Sequence, residues 1–280
     1  MGDRGFGAHD RLVRARRRLT IIICIMGVVV RRASIVVVAG ILLLSCSSPE
    51  PRPSPSAAVQ QPTSEPPPAS PKPEPEPEPA AWAVVPLKRY IAMWNKPTDP
   101  KPAFVFDSLL PGVGFGRMLV TAERGDGSGG RWLKLELPIR PNGADGWVRD
   151  DEVQVVPRHD ELVIDLSNRT LTHLREEKVV DRFRVGVGQP QYPTAIGTFY
   201  VWQKVNFDQW YGPYGIYALG LSGFSPVLSD WPGGGRMAIH GTSDPSDRGQ
   251  QVSHGCIRVY NTDMKTLRTL PLGTPVIIRR

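Results

Sequence analysis

Apolar and polar residues alternate along several short stretches of the chain. The clearest alternation, with a period of two, covers residues 132–137. Similar stretches lie at 162–166, 170–174, 179–187 and 198–202. Because a period of two places successive side chains on opposite faces of a strand, each stretch predicts a half-buried β-strand. We expect a mainly β chain, with one short helix from a capping Thr262 to Leu270 and a closing strand at 275–278.

Two regions depart from this pattern. Residues 81–157 contain short apolar runs broken by Gly, Pro and Asp, which predicts a small β-barrel. Residues 206–235 are rich in glycine and aromatic side chains and show little regularity, which is more typical of a binding loop or lid than of a spacer. The aromatic residues of this segment are expected either to contact a ligand or to pack in the core. Trp210 and Tyr211 are the candidates for binding.

The N-terminal residues 1–46 are interpreted as a leader. Their two apolar runs, 20–30 and 33–44, are each shorter than the roughly 20 residues that a membrane-spanning helix needs. The second run follows two arginines, has the length of a signal-peptide apolar region and ends in Leu-Leu-Ser-Cys. This ending resembles a bacterial lipobox, which implies that Cys46 is lipidated.

Three alternatives about the leader stay open. The true start is either Met1 or Met26, and the leader is either cleaved at Cys46 or kept as an anchor. In both cases the rest of the chain lies on the periplasmic side of the cell envelope. Ser47 after the cysteine resembles the pattern of outer-membrane lipoproteins, with an inner-membrane anchor as the alternative.

Residues 47–80 are composed mainly of Pro, Ser, Glu and Ala, and they hold many of the 29 prolines of the chain. Such a composition buries too little apolar area to offset chain entropy, so we predict a disordered, extended tether. The tether would hold the folded part of the chain away from a membrane.

The net charge of +7 does not indicate nucleic-acid binding. The first 45 residues contain eight arginines and two acids, which leaves 26 basic and 25 acidic residues of the totals of 34 and 27. Outside the leader, no basic patch with interleaved aromatic residues is found, so no nucleic-acid partner is expected.

Cysteine usage singles out Cys256. Cys24 lies in the leader and Cys46 in the lipobox, so Cys256 has no disulfide partner within the exported chain. A free thiol in an oxidising compartment points to a reactive group. Cys256 follows Ser253, His254 and Gly255, and His240 lies 16 residues before it. A histidine can take the proton of a thiol nucleophile.

Two parts of the chain resemble known families. The segments 131–135 (RWLKL) and 145–148 (DGWV) resemble the last strands of bacterial SH3-like domains, which implies an SH3-like β-barrel at 81–157. The segments 193–199 (PTAIGTF), 239–242 (IHGT) and 253–258 (SHGCIR) resemble the L,D-transpeptidase (YkuD) family. The second resemblance implies an L,D-transpeptidase catalytic domain at 158–280, a β-sandwich with short helices.

The YkuD resemblance also implies roles for individual residues. Cys256 would be the nucleophile and His240 the base, and Gly255, Ser253 and His254 would support the site. We expect His254 to orient the turn through a hydrogen bond from its ring to the backbone, with direct proton transfer as the alternative. The backbone N–H groups of Gly255 and Cys256 are the candidate oxyanion donors. Three further residues are candidate substrate contacts: Gly241, Thr242 and Arg258. Arg258 would pair either with a substrate carboxylate or with a structural acid such as Asp263.

The implied activity is peptidoglycan transpeptidation. Cys256 would attack the L-to-D amide of a stem peptide, release D-Ala and pass the acyl group to an amine of a second stem or of a wall-anchored protein. Two alternatives stay open: an L,D-carboxypeptidase or amidase that uses water, and a non-catalytic wall-binding lipoprotein. No cofactor is implied. His240, His254 and Cys256 lack the second ligand pair of a zinc site, so no metal is expected.

Overall fold

The computed structural model describes residues 77–110, 114–231 and 233–280. The leader with Cys46 and most of the predicted tether lie outside the described residues, so the lipidation and tether predictions are not tested by it. The described part splits into two main sheets that belong to one compact unit.

The first sheet contains five antiparallel strands in the order β8-β7-β6-β1-β9. The strands of this part of the chain are β1 (Ala81–Pro86), β2 (Tyr90–Met93), β3 (Phe104–Asp107), β4 (Leu109–Leu110), β5 (Gly114–Phe115), β6 (Met118–Gly125), β7 (Arg131–Glu136), β8 (Asp145–Arg149) and β9 (Val153–Arg158). Strand β7 confirms the strand predicted at 132–137. It is more than half buried, because Trp132 and Glu136 on its second face are covered as well.

The second sheet contains eight strands in the order β12-β11-β10-β19-β14-β15-β16-β18. Its part of the chain comprises β10 (Asp160–Asp165), β11 (Thr170–Arg175), β12 (Lys178–Arg184), β13 (Val187–Gly188), β14 (Gly197–Asn206), β15 (Tyr217–Phe224), β16 (Arg236–Thr242), β17 (Gln251–Ser253), β18 (Ile257–Tyr260), α1 (Asn261–Leu267) and β19 (Pro275–Arg279). The mainly β fold class is confirmed. The likeness of the first sheet to an SH3-like barrel stays a prediction.

Strand β15 corrects the expectation of an irregular segment at 206–235. This strand is buried on both faces and contains two glycines, so it shows no apolar–polar alternation in the sequence. A side chain at Gly223 would collide with the ring of Phe199. The strand divides the segment into two loops, 207–216 and 225–235.

The helix prediction is correct in place but wrong about the cap. Helix α1 runs from Asn261 to Leu267, and Thr262 lies inside it, where its hydroxyl donates to Asp263. The residue before the helix, Tyr260, makes no capping hydrogen bond with its side chain. The fully buried Asn261 side chain is used elsewhere, in the functional site.

His173 of β11 is buried. Its Nε2 lies 2.7 Å from a carboxylate oxygen of Asp160 and its Nδ1 lies 3.5 Å from Asp181. Arg175 also donates to Asp160, at 2.9 Å. These groups anchor β10 to β11 and β12, away from the cysteine.

A buried polar chain joins the two sheets. Glu136 at the end of β7 accepts a hydrogen bond from Ser222 of β15 at 3.0 Å, and the Ser222 hydroxyl in turn accepts the Tyr200 N–H. The fully buried Tyr200 of β14 packs in the apolar core of the first sheet. The sheets therefore share packing as well as hydrogen bonds.

No helix in the described residues is long and apolar enough to cross a membrane.

Replacing Glu136 with Gln should flatten the dependence of stability on pH. Burial raises the pKa of Glu136 from 4.5 to about 8. Between these two values the folded protein keeps the proton that the unfolded chain has lost, so stability falls as pH rises. This group alone should cost about 3 kcal/mol of unfolding free energy between pH 5 and pH 8.

Urea denaturation at several pH values measures this difference. The Glu136→Gln variant should lose less stability than the wild type over the same range. The exposed Glu123→Gln variant is the matched control and should follow the wild type. Parallel wild-type and Glu136→Gln curves would show that the Glu136 carboxyl is already ionised near neutral pH.

Candidate active site

The turn at 253–256 joins β17 to β18 and presents the thiol of Cys256. Ser253 is buried, and its hydroxyl donates to the carbonyl of Cys256 at 2.5 Å and accepts the N–H of Gly255 at 3.1 Å. Gly255 has a φ of +114°, which residues with a side chain rarely adopt. The turn therefore requires a hydroxyl at Ser253 and a glycine at Gly255, which explains the Ser-x-Gly-Cys pattern.

This hydrogen bonding corrects the expectation about the oxyanion donors. The N–H of Gly255 is already donated to Ser253, so Gly255 supports the turn and is not a free donor. Among the described residues, the N–H of Cys256 has no hydrogen-bond acceptor. Of the two predicted donors, only that of Cys256 is left to face a developing negative charge.

His240 reaches the thiol through strand pairing. Strand β16 pairs in parallel with β18, with His240 opposite Arg258. Side chains two residues apart share a face of a sheet, so Cys256, one position before β18, lies on the face of His240 and diagonal to it. Both residues line one cavity of about 180 Å³. In the described structure no hydrogen bond yet joins the thiol to the imidazole.

The hydrogen bond of the His240 ring fixes its tautomer. Nδ1 lies 2.9 Å from the carbonyl oxygen of Gly241, which can only accept, so Nδ1 carries the proton. Nε2 is then the basic nitrogen. The Tyr214 ring meets the imidazole edge to face, with centroids 5.2 Å apart, and holds it from the other side.

Burial keeps both reactive groups neutral. It lowers the pKa of His240 to about 4, with a smaller contribution from the charge of Arg258. Burial also raises the pKa of the Cys256 thiol above its ordinary value, although the Ala238 N–H and Arg258 act in the opposite direction. At neutral pH the site therefore holds a thiol beside an uncharged imidazole.

Arg258 is paired with a structural acid, which is Asp247 and not the suggested Asp263. Its Nη1 lies 3.2 Å from the carboxylate of Asp247, a buried residue that also accepts the hydroxyl of Thr242 at 2.6 Å. Asp263 contacts Arg248 instead, at 3.4 Å. Arg258 still lines the cavity, whereas the Thr242 side chain is turned to Asp247.

Gly241 serves close packing. A side chain there would collide with the amide of Asn261. That amide accepts the N–H of Ile216 at 3.1 Å and donates to the carbonyl of Trp210 at 2.7 Å. Asn261 thereby ties the 207–216 loop, which carries Tyr214, to the start of α1.

The aromatic residues chosen from the sequence are not those that line the cavity. Trp210 lies outside it, with the ammonium group of Lys265 5.8 Å from its ring centroid, and Tyr211 is 88% exposed. Tyr214 and Trp231 line the cavity instead. All four come from the same aromatic-rich segment, and their spacing in the sequence does not distinguish them.

His254 is exposed and lies between two aromatic rings. It stacks on Trp231, with centroids 5.1 Å apart, and on Tyr192 at 4.7 Å. The expected hydrogen bond from its ring to the backbone is not found among the described residues. His254 thus supports one wall of the cavity by stacking.

The sequence motifs do not include Asp247, Asn261 or Arg236, of which Arg236 lines the cavity. Their roles depend on which strands become neighbours. No group of three or more His, Cys, Asp or Glu side chains among the described residues is placed to hold a metal ion.

Comparison with known proteins identifies the family. Residues 159–278 match the model of the YkuD family, described as the L,D-transpeptidase catalytic domain. YkuD of Bacillus subtilis, named as an L,D-transpeptidase, is 32% identical over 126 residues, which are 45% of this chain and 68% of that protein. The chain belongs to the YkuD family of L,D-transpeptidases. YqjB of the same organism, also named as an L,D-transpeptidase, is 33% identical over 149 residues, half of this chain and 78% of YqjB.

Solved structures give weaker likenesses. An L,D-transpeptidase from Enterococcus faecium is 26% identical with a TM-score of 0.34, and the match covers 44% of this chain and 50% of the other. One from Mycobacterium tuberculosis is 17% identical with a TM-score of 0.38, covering 60% and 92%. Both scores are below 0.5, so the assignment depends on the sequence matches.

The protonation states predict how Cys256 responds to pH. Because its pKa is raised, the thiolate fraction should increase about tenfold per pH unit throughout the neutral range. The rate of alkylation by iodoacetamide should therefore keep rising from pH 6 to pH 9. Mass spectrometry of the peptide that contains Cys256 separates this reaction from alkylation at Cys24 and Cys46.

A rate that is already constant between pH 5 and pH 7 would contradict the neutral pair. It would indicate a thiolate stabilised by a protonated His240. The His240→Gln variant is the control, since it cannot form such an ion pair.

Proposed function

We propose that this protein is a peptidoglycan L,D-transpeptidase with Cys256 as nucleophile and His240 as general base. The observation that carries the proposal is the placement of the thiol and the basic Nε2 on one face of the sheet and in one cavity. Membership of the YkuD family supplies the substrate class, the stem peptides of peptidoglycan.

The first half of the reaction forms a thioester. His240 Nε2 takes the thiol proton as the sulfur of Cys256 attacks the carbonyl carbon of the L-to-D amide. The N–H of Cys256 donates to the oxyanion of the tetrahedral intermediate. The amide C–N bond then breaks, and the imidazolium gives its proton to the departing D-Ala amine.

The second half regenerates the thiol. An amine of a second stem, or of a wall-anchored protein, attacks the thioester carbonyl while His240 takes the amine proton. The C–S bond breaks and the sulfur recovers a proton from the imidazolium. With a stem acceptor the product is a 3–3 cross-link, and with a protein acceptor it is a protein–wall linkage.

His240 is available as a proton acceptor in this cycle. An imidazole with a pKa of about 4 is free to accept a proton at neutral pH and returns it readily, because its charged form is poorly solvated in the cavity. The Arg258–Asp247 pair beside the imidazole carries little net charge, so burial is the main influence on the pKa of His240.

Replacing Cys256 with Ala should abolish turnover, a loss of at least about 1000-fold, since no other thiol lines the cavity. The full chain is incubated with disaccharide-tetrapeptide and its products are identified by mass. Dimers that have lost one D-Ala support transfer. The Thr262→Ala variant, changed outside the cavity, is the matched control and should retain activity.

Other products decide between the remaining alternatives. Disaccharide-tripeptide alone would indicate that water is the acceptor, as in an L,D-carboxypeptidase. No product, together with no mass increase at Cys256 after exposure to a carbapenem, would contradict the catalytic proposal. Binding to peptidoglycan without turnover would then favour a wall-binding protein.

We also propose that the chain is held in the cell envelope through a lipid on Cys46. This proposal depends on the lipobox resemblance and on the location of the substrate. The Cys46→Ser variant should move from the membrane fraction to the soluble fraction and should no longer incorporate labelled palmitate. Unchanged fractionation and labelling would contradict it, and a Cys24→Ser variant serves as the control.

A further inference from the structure

The 225–235 loop between β15 and β16 forms one wall of the active-site cavity. Ser225, Leu228, Trp231 and Gly235 of this loop line the cavity together with Cys256. Trp231 also stacks on His254 of the catalytic turn. The position of this loop therefore determines the space beside the thiol.

Arg140, from the connection between β7 and β8 of the first sheet, holds the backbone of this loop. Its guanidinium donates to three loop carbonyls: Ser225 at 3.2 Å, Leu228 at 2.8 Å and Gly234 at 2.8 Å. A planar guanidinium can serve several acceptors in fixed directions, which an ammonium group cannot do. Three points of attachment fix both the position and the tilt of the loop.

Asn142 of the same connection fixes the start of the loop. Its amide accepts the N–H of Phe224 and donates to the Phe224 carbonyl, both at 2.8 Å. This is the pair of bonds that a neighbouring strand would supply. The guanidinium of Arg140 also lies over the Phe224 ring, 4.7 Å from its centroid.

The loop is shaped to receive the guanidinium. Gly233, Gly234 and Gly235 have φ values of +80°, +68° and +73°, the left-handed region that favours glycine. A side chain at Gly235 would collide with the carbonyl of Leu228 and lie 3.0 Å from Arg140. These backbone angles help turn the carbonyls of Leu228 and Gly234 towards one cation.

We propose that Arg140 is a positioning residue for substrate binding: the first sheet, through Arg140, sets the Trp231 wall against which the stem peptide lies. Arg140 does not line the cavity and contacts no reacting atom. It acts through the 225–235 loop, whereas the thiol chemistry depends on the 253–256 turn and on His240. The inference rests on the proposed function for the identity of the substrate.

Separating substrate binding from thiol reactivity tests this role in the full chain. The Arg140→Ala variant should raise KM for disaccharide-tetrapeptide about tenfold, with a smaller change in kcat. Alkylation of Cys256 by iodoacetamide, a small reagent that needs no wall, should stay within about twofold of the wild type. The KM of Arg140→Lys should lie between those of the wild type and Arg140→Ala, because lysine keeps the charge but lacks the planar guanidinium.

Amide hydrogen exchange gives a readout that needs no substrate. The N–H of Ser225 donates to the Gly235 carbonyl at 2.7 Å, and that of Gly234 to the Trp231 carbonyl at 2.8 Å. Both amides should exchange faster in Arg140→Ala. The matched control, Arg131→Ala, removes an arginine of the same sheet that pairs with Glu123 and Asp150 at the surface and should leave exchange and KM unchanged.

Two outcomes would overturn the role of Arg140. One is a wild-type KM in Arg140→Ala, whether or not exchange changes. The other is a parallel fall of iodoacetamide reactivity, kcat and melting temperature, which indicates general destabilisation. Failure of the proposed function looks different, because the wild type itself would give no product. In that case, faster loop exchange with weaker calorimetric binding of the tetrapeptide in a Cys256→Ala background supports the role of Arg140, and unchanged binding overturns it.

Discussion

The parallel pairing of β16 with β18 is the constraint on which the site depends. It places His240 and Cys256, which lie 16 residues apart in the sequence, on one face of the sheet without any direct bond between them. A shift of one residue in register would turn one of the two side chains to the opposite face. Gly241, with no room for a side chain beside Asn261, and the hydrogen bonds of Ser253 keep this register and the turn before β18 in place.

Desolvation then decides the protonation states within that geometry. The charges near the imidazole belong mainly to Arg258 and Asp247, which compensate one another, so burial dominates at both reactive groups. The result is a site in which Cys256 and His240 form no ion pair with one another. Both side chains line one small cavity, where charged forms are poorly solvated, so the neutral forms of the thiol and the imidazole are favoured.

Features set by neighbouring residues could be predicted from the sequence, whereas contacts between segments far apart in the chain required the structure. Strand β7 and the pair of Cys256 and His240 follow from alternation and from short motifs. The ion pair of Arg258 with Asp247 and the use of Asn261 depend on which elements become neighbours, and no sequence pattern carries that information. Composition identifies an aromatic-rich segment but not which of its rings turn inward, so the sequence does not distinguish Trp231 from Trp210 and Tyr211. Strand β15 was missed because burial on both faces removes the alternation.

The attachment of the 225–235 loop to Arg140 and Asn142 shows that the family match and the part of the chain that shapes the cavity begin at different residues. The region that matches the family begins at residue 159, yet part of the cavity wall is fixed by side chains that precede it. The region that matches the family is thus smaller than the region whose folding shapes the cavity. Exchanging the first sheet for that of another family member would keep Cys256 and His240 but leave the 225–235 loop without its anchor. Chimeras should therefore be joined before β1, so that the whole first sheet is kept, and not at the edge of the family match.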